Sequence, residues 1–425
     1  MGLRGRLQSA TAGAAVGPLV VLFALNLVDE LDRVAFSVLS PEIRDDLGLS
    51  DSGIVAVASV AGVTALLAAL PIGVLADRVR RVRMAGVGAA AWGGFTVVTA
   101  LSPVVWVLVL ARMGASVGRI VNEPVHASLL SDYYPPATHP KVFALHRLAN
   151  PVGLGSALLI GVLASFFDWR WVFAALCLPT FLLLPVLLRL REPLRGESVD
   201  PVAAAAPAER MGLGAARRVL FAVPTLRRLW VGLPVLGVAT LSLPQLITLM
   251  FEREYGYGPT GRGVVTFLSG VGTVVGLALG QRLATRALQA GRPERLATYD
   301  GVSIAAIGVA LLGLVLSPYA ELSAACYLLA GVAVGSYQPC YFSLVALVSP
   351  ARARAQAYAW AILCLGVGAL ASPLLAGVGE ARGYRLAIGV LALTLVVGGL
   401  TATTARHTVR RDAEGATASL LRAAA

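Results

Sequence analysis

The chain has 425 residues, of which 57% are hydrophobic and only 14% charged, with a net charge of +12 and a mean hydropathy of +0.78. A soluble domain carries about 25% charged residues, so this composition excludes an ordinary soluble enzyme or nucleic-acid binder and places the chain in lipid. One span takes ~20 apolar residues, and a chain of this length with short loops holds about twelve.

Hydrophobic runs predict spans near 18–40, 52–76, 84–101, 104–131, 141–166 and 170–189, then near 229–251, 262–283, 296–317, 319–347, 354–378 and 384–404. The first span is interrupted by Asp29, Glu30, Asp32 and Arg33. A charge in hydrocarbon costs at least ~2.5–3.5 kcal/mol on insertion scales, so such residues face a polar path or a partner. Asp29, Asp32 and Arg33 fall at i, i+3 and i+4 on one helical face, while Glu30 points elsewhere, toward a loop or another helix. A carboxylate beside an arginine in a closed cavity is pushed one way by desolvation and the other by the positive neighbour. A change in the exposure of the site changes both influences, which suits Asp32, with Asp29 and Glu123, to bind and release a proton.

Gly73-Val-Leu-Ala-Asp77-Arg78 with Arg81 closes the second span and forms a charged loop before the third. The fourth carries Arg112, Arg119 and His126 at intervals of seven, hence in one stripe, and Glu123 four residues after Arg119, the spacing of an intrahelical ion pair. Pro124 removes the backbone bond to Ile120 and bends that helix. The fifth adds His146, Arg147, Asn150 and Pro151, then Gly153, Gly155 and Gly161, small residues that allow close helix approach.

Residues 191–228 break the pattern as a linker, with an Ala-rich stretch between Pro201 and Pro207 and an amphipathic segment from Ala215 to Leu229. Two six-span bundles result, 1–190 and 229–405, followed by a tail, 406–425, expected to be disordered. The second bundle offers Gln245, Tyr337, Gln338, Tyr341 and Trp360 in place of charge, a surface suited to apolar contact along a cavity wall.

The arginines sort by side. With both termini cytoplasmic, cytoplasmic segments hold about four basic residues for each one outside, the positive-inside pattern of an even number of spans. The basicity is thus a topology signal in a plasma-membrane protein, and nucleic acid is not a partner. Cys177, Cys326, Cys340 and Cys364 fall within spans as buried small residues. The lone lysine, Lys141, sits outside any phosphate-binding glycine loop, which argues against an ATP-driven pump. Ser128, Ser131, Asp132 and His126 are framed by no nucleophile elbow or metal motif, so no enzyme, cofactor or metal is expected.

The halves repeat. Gly118, Pro124, Ser128, Leu129 and Pro135 correspond to Gly335, Pro339, Ser343, Leu344 and Pro350, identically spaced from the proline onward. On these repeats and on Gly73 to Arg81, the chain resembles the major facilitator superfamily over its whole length. Asp29-Glu30-Leu31-Asp32-Arg33 is similar to the Asn-Tyr-x-Asp-Arg start shared by its Spinster-like branch and by organic-anion symporters, and Arg191-Glu192-Pro193-Leu194-Arg195-Gly196 is similar to the Spinster-like side. The sequence departs from the pattern at Asp29 and Glu30. It departs again at Arg119, where the branch has an acid that Glu123 supplies one turn later, and at Thr285, where the second loop has Asp.

The resemblance implies an all-α fold of twelve transmembrane helices in two pseudo-symmetric bundles, rocking around a midplane cavity. It implies that Gly73, Asp77, Arg78 and Arg81 form a cytoplasmic gate, and that Arg112 serves coupling or anion recognition. Together with the residues it predicts a monomeric, proton-coupled transporter of an amphipathic or lysolipid-like molecule. Asp32, Asp29 and Glu123 would bind protons, and Arg33, Arg112, Arg119, Arg147 and Asn150 would meet substrate or pair charges. Organic-anion symport, multidrug efflux, uncoupled lipid scrambling and a transporter-like sensor are the alternatives.

Overall fold

The computed structural model describes residues 11–422 apart from 12, 50, 157–159, 161–162, 164–165, 200–212, 258 and 370. The expected spans are present as helices: α1 Gly17–Val38, α2 Asp51–Arg78, α3 Arg81–Ala100, α4 from Val105–Ile120 through Ala127–Tyr133, α5 in two pieces, His139–Arg147 and Ala149–Gly155, and α6 Trp169–Leu188. The second half follows as α7 Pro224–Tyr255, α8 Pro259–Gln289, α9 Glu294–Leu316, α10 Ala320–Val348, α11 in two pieces, Arg354–Ala369 and Ser372–Arg382, and α12 Tyr384–Thr403. Among the described residues, seven helices are each long and apolar enough to cross a membrane unaided, or eight if a helix pair bent by 96° counts as one. The other spans are broken, or carry polar residues that the protein buries.

The bent pair joins the linker helix Leu213–Ala222 to α7. Its Phe221 packs on Trp230 and Trp360 with ring centroids 5.2 and 5.1 Å apart. A helix covers the first part of the expected amphipathic segment, and α7 begins at Pro224, earlier than expected, because Pro at a helix start costs no hydrogen bond. The Ala-rich stretch between Pro201 and Pro207 lies outside the described residues.

The tail departs from expectation. Thr404–His407 is a 3-10 turn and Val409–Arg422 a helix, so the described part of 406–425 is ordered. Asp412 accepts from the Thr225 backbone nitrogen at 2.9 Å and from its hydroxyl at 2.7 Å, satisfying donors in the first turn of α7. Val409 is buried beneath it.

Glycine spacing sets the second bundle. A Cβ on Gly272, Gly276 or Gly280 of α8 would sit 2.0–2.2 Å from the carbonyls of Leu328, Val332 and Ser336 on α10. Gly331 and Gly335 of α10 return the same contact to α8. Such four-residue spacing lets two backbones approach closely, where dispersion replaces the hydrophobic drive that lipid cannot supply. The predicted close approach along α5 holds at Gly153, against the Glu30 side chain, and not at Gly155, which faces open space.

Candidate functional site

Ala15 before α1, the described linker residues from Arg191 to Gly196 and the tail helix Val409–Arg422 all lie at one end of the bundle, here the linker end; the other is the far end. Among the described residues the buried ion pairs fall in two places, midway along α1 and α4 and at the linker end.

In the middle, Asp32 on α1 is fully buried and accepts from three side chains. Arg112 reaches it at 3.1 Å and Arg119 at 2.6 Å, both from α4, and the Thr96 hydroxyl of α3 at 3.3 Å. Asp29, one turn earlier, pairs with Arg119 Nε at 2.5 Å and accepts from the Asn122 amide at 3.2 Å. Arg119 thus bridges two carboxylates, and its side chain keeps 19% exposure, more than any other member of the network. The Arg112 guanidinium lies over the Phe36 ring, 4.4 Å from its centroid, so its face is covered as well as its edge. Two positive and two negative groups therefore balance in a site where an unpaired charge would be costly.

Two predicted partnerships fall differently. Arg33 turns away from Asp32, is 58% exposed and pairs with Glu30 at 2.5 Å. The i, i+4 pitch puts Arg33 near the Asp29 face, but its long side chain gains more by leaving the core for solvent. Arg119 is taken by the α1 acids; the side chain of Glu123 lies outside the described residues, as does that of Gln245. Asn150 of α5 accepts from Asn26 of α1 at 3.3 Å. Arg147 lies over the Phe342 ring of α10 at 4.2 Å, bringing the two halves together.

Pro124 sits in a π turn, Asn122–His126, rather than a simple kink. A wider turn absorbs the missing N–H and the ring, and such turns recur at functional sites. It also aims Asn122 at Asp29. Pro339, its counterpart in the repeat, lies inside an uninterrupted α10.

At the linker end, Asp77 accepts from the backbone nitrogens of Ala355 at 3.2 Å and Gln356 at 2.9 Å, the first turn of α11. It thereby joins the halves through a helix N-terminus. Gly73 admits Ala359 of α11 so closely that a Cβ would lie 2.4 Å from it. Arg81 is fully buried and binds Asp132, the Ser128 hydroxyl at 2.9 Å and the Pro193 carbonyl at 2.8 Å. Asp132 takes Arg354 of α11 at 2.5 Å as its second cation. Arg78 stands exposed outside this cluster.

The linker is part of the same assembly. Glu192 accepts from the backbone nitrogens of Arg81 at 3.0 Å and Val82 at 2.9 Å, capping α3. Arg195 reaches Asp77 at 3.4 Å and the Ala76 carbonyl at 2.7 Å, and the Gly196 nitrogen donates to Asp132 at 3.0 Å. The two hydrogen bonds from Arg191 hold the Glu197 carboxyl below the usual range.

Of the expected cavity wall, Tyr337 and Tyr341 meet edge to face at 6.5 Å, and Gln338 bonds to the Val334 carbonyl at 3.4 Å on its own helix. Trp360 packs against Phe221 of the linker helix, so it braces the linker rather than a central cavity. Sequence reasoning missed Asn26, Thr96, Asn122, Glu192, Arg195 and Arg354 as site residues, and took Asp132 only as part of an unframed hydroxyl–acid group. The available signal was Asp132 at the closing turn of a span, with Arg352 and Arg354 opening another and counted as topology charge alone.

Comparison with known proteins agrees with this architecture. Residues 22–299 match the sequence model of the Major Facilitator Superfamily. Protein spinster of Drosophila melanogaster is 25% identical over 330 residues, covering 77% of this chain and 53% of that protein. The puromycin resistance protein pur8 of Streptomyces alboniger is 28% identical over 348 residues, covering 69% and 67%. The chain spans about half the length of the fly relative and about a third of protein spinster homolog 1 of Xenopus laevis (53% and 35%). The human organic anion transporter MFSD10 superposes with a TM-score of 0.73 at 14% identity, covering 91% of this chain and 99% of that one. A bacterial homolog of the human lysosomal transporter Spinster gives 0.58 at 20%, covering 93% and 97%. With the paired bundles, the loop from Gly73 to Arg81 and most of the chain matched, this integral membrane protein belongs to the Major Facilitator Superfamily of transporters.

Proposed function

We propose that the chain is a Spinster-like secondary transporter in which a proton and the anionic headgroup of a lysolipid-like amphiphile bind together. The observation that carries this reading is the sharing of Arg119 between Asp29 and Asp32. Asp32 has two guanidinium partners, whereas Asp29 has one, and that one is shared. A proton on Asp29 removes one negative charge from a balanced set and releases Arg119 Nε. The partly exposed guanidinium is then free to take an oxygen of a phosphate or carboxylate, while Asp32 keeps Arg112 and a share of Arg119 in place. The substrate's apolar part would lie on the aromatic face of the second half, near Tyr337 and Tyr341.

Positive-inside bias makes the linker end cytoplasmic, so the Asp77–α11 and Asp132–Arg354 bonds hold the transporter closed to the cytoplasm and turned outward. Rocking of the bundles must break these bonds. An organic anion without a tail uses the same chemistry and is distinguished by substrate competition. The resistance protein among the relatives favours drug efflux as a second reading.

The test is movement of a fluorescent, anionic lysophospholipid into proteoliposomes with and without an imposed pH gradient. Uptake should follow the gradient, and Asp29→Asn, permanently neutral there, should abolish that response. Wild-type movement indifferent to the gradient overturns the coupling and leaves facilitated flux or scrambling.

A further inference from the structure

Below the central network, toward the linker end, two buried histidines meet. His126 closes the π turn of α4 and His146 lies on α5, with His146 Nε2 3.4 Å from His126 Nδ1 and ring centroids 5.5 Å apart. Their exposures are 0% and 3%. The Leu22 carbonyl of α1 lies against the His146 ring, whose Nε2 is already turned to His126, which leaves Nδ1 for that carbonyl; the His146 carbonyl accepts from Asn26 at 3.2 Å. A carbonyl only accepts, so His146 carries its hydrogen on Nδ1 and offers Nε2 as an acceptor. His126 must then donate from Nδ1. That leaves its Nε2 as a bare acceptor, and this atom is buried with no partner.

A buried acceptor without a donor is costly, and the fold maintains one on a widened turn that already aims Asn122 at Asp29. The groups around the pair are few. Arg147 of α5 acts electrostatically on both rings; α1 presents Asn26, the Leu22 carbonyl and, one turn away through Asn122, Asp29. Opposite, α10 presents Phe342 beneath Arg147, and α11 presents Tyr358 bonded to the Phe342 carbonyl. The positive charge nearest the histidines is thus seated on the other half, and rocking of the halves must move it.

We propose that His126 carries the proton between Asp29 and the linker end, with His146 holding its ring and Arg147 tying its occupancy to the gate. While the linker end is closed, burial disfavours a charge on His126, Arg147 adds its repulsion, and the ring stays neutral. As the end opens, Arg147 leaves Phe342 for the widening aqueous space. His126 Nε2 then accepts the proton that leaves the Asp29 carboxyl, which returns to its ion pair with Arg119. Release of the same proton from Nε2 to water restores the neutral ring, and Nδ1–H remains donated to His146 throughout.

This inference rests on the proton-coupled reading, and two measurements separate their failures. The chain has four histidines, so ¹⁵N-histidine NMR of the purified full chain is assignable by single substitution. The wild type should show both neutral rings with Nδ1–H between pH 5.5 and 8, and Arg354→Ala, which frees the gate, should show one ring titrating in that window. That signal should vanish in H126Q. In proteoliposomes with the fluorescent anionic lysophospholipid, H126Q should lower gradient-driven uptake at least tenfold and flatten its pH profile, and H146Q should shift the profile without abolishing it. A His126 that stays neutral in the opened variant, or an unchanged pH profile in both H126Q and H126N, overturns the proposal while coupling through Asp29 stands. Wild-type uptake that ignores the gradient overturns the coupling reading itself, whichever way the histidines titrate.

Discussion

Asp32 and Arg33 are neighbours in sequence and strangers in the fold. Asp32 is held by two arginines 80 and 87 positions away, Arg33 by Glu30 at the exposed edge of the same helix. The consequences of mutation should differ accordingly. Asp32→Ala leaves Arg112 and Arg119 short of a buried counter-charge and should cost about 3–5 kcal/mol, read as a lowered unfolding midpoint in detergent. Arg33→Ala removes a largely exposed pair and should change stability by less than about 1 kcal/mol. A small loss at Asp32 would mean that the network is solvated and its pairing dispensable. The acids of the first span and the arginines of the fourth were legible as anomalies, because charge is expensive in lipid. Their pairing was not, because the sequence places them on separate helices and the nearer partner, Arg33, competes on paper.

At the scale of elements, hydropathy located the spans to within a few residues, and proline foretold a disturbance in α4 without saying that it would be a π turn. The outcome depends on what the neighbouring helices accept: Gly88 of α3 meets Val121 and the Gly118 carbonyl beside that turn, whereas α10 is gripped along its glycines by α8. Those glycines carry a prediction. Gly276→Val places a side chain where a Cβ already meets the Val332 carbonyl at 2.0 Å. It should destabilise the second bundle by about 1–3 kcal/mol or more, seen as loss of monodisperse protein on size-exclusion chromatography. Gly155→Ala, with nothing within 4 Å, serves as the neutral control. Equal tolerance at both sites would show that the α8–α10 contact is looser than its geometry. The tail helix teaches the same lesson: its sequence is polar and Ala-rich, and it orders because Asp412 finds the unpaired donors that open α7.

For the molecule as a whole, the linker end is where the two bundles are bonded to each other, and the linker itself contributes Glu192, Arg195 and Gly196 to that closure. Arg354→Ala and Asp77→Asn should each shift the population toward an open linker end. Spin labels at positions 141 and 352, on either side of the seam, should report longer distances in both variants. An unchanged distance distribution would remove these residues from the gate. Because Arg195 also holds Asp77, Arg195→Ala should shift the population in the same direction by a smaller amount.

The sequence by itself determined that the chain lives in lipid, that it folds as two repeated sets of six helices, and which charges had to be hidden. These follow from the one-dimensional cost of moving residues out of water. Only the tertiary structure decided which carboxylate meets which guanidinium, that the described parts of the linker and tail bond to the bundles, and that two histidines touch beside a π turn. Such choices depend on distances between helices remote in sequence, where a few ångströms separate a balanced ion pair from a buried charge.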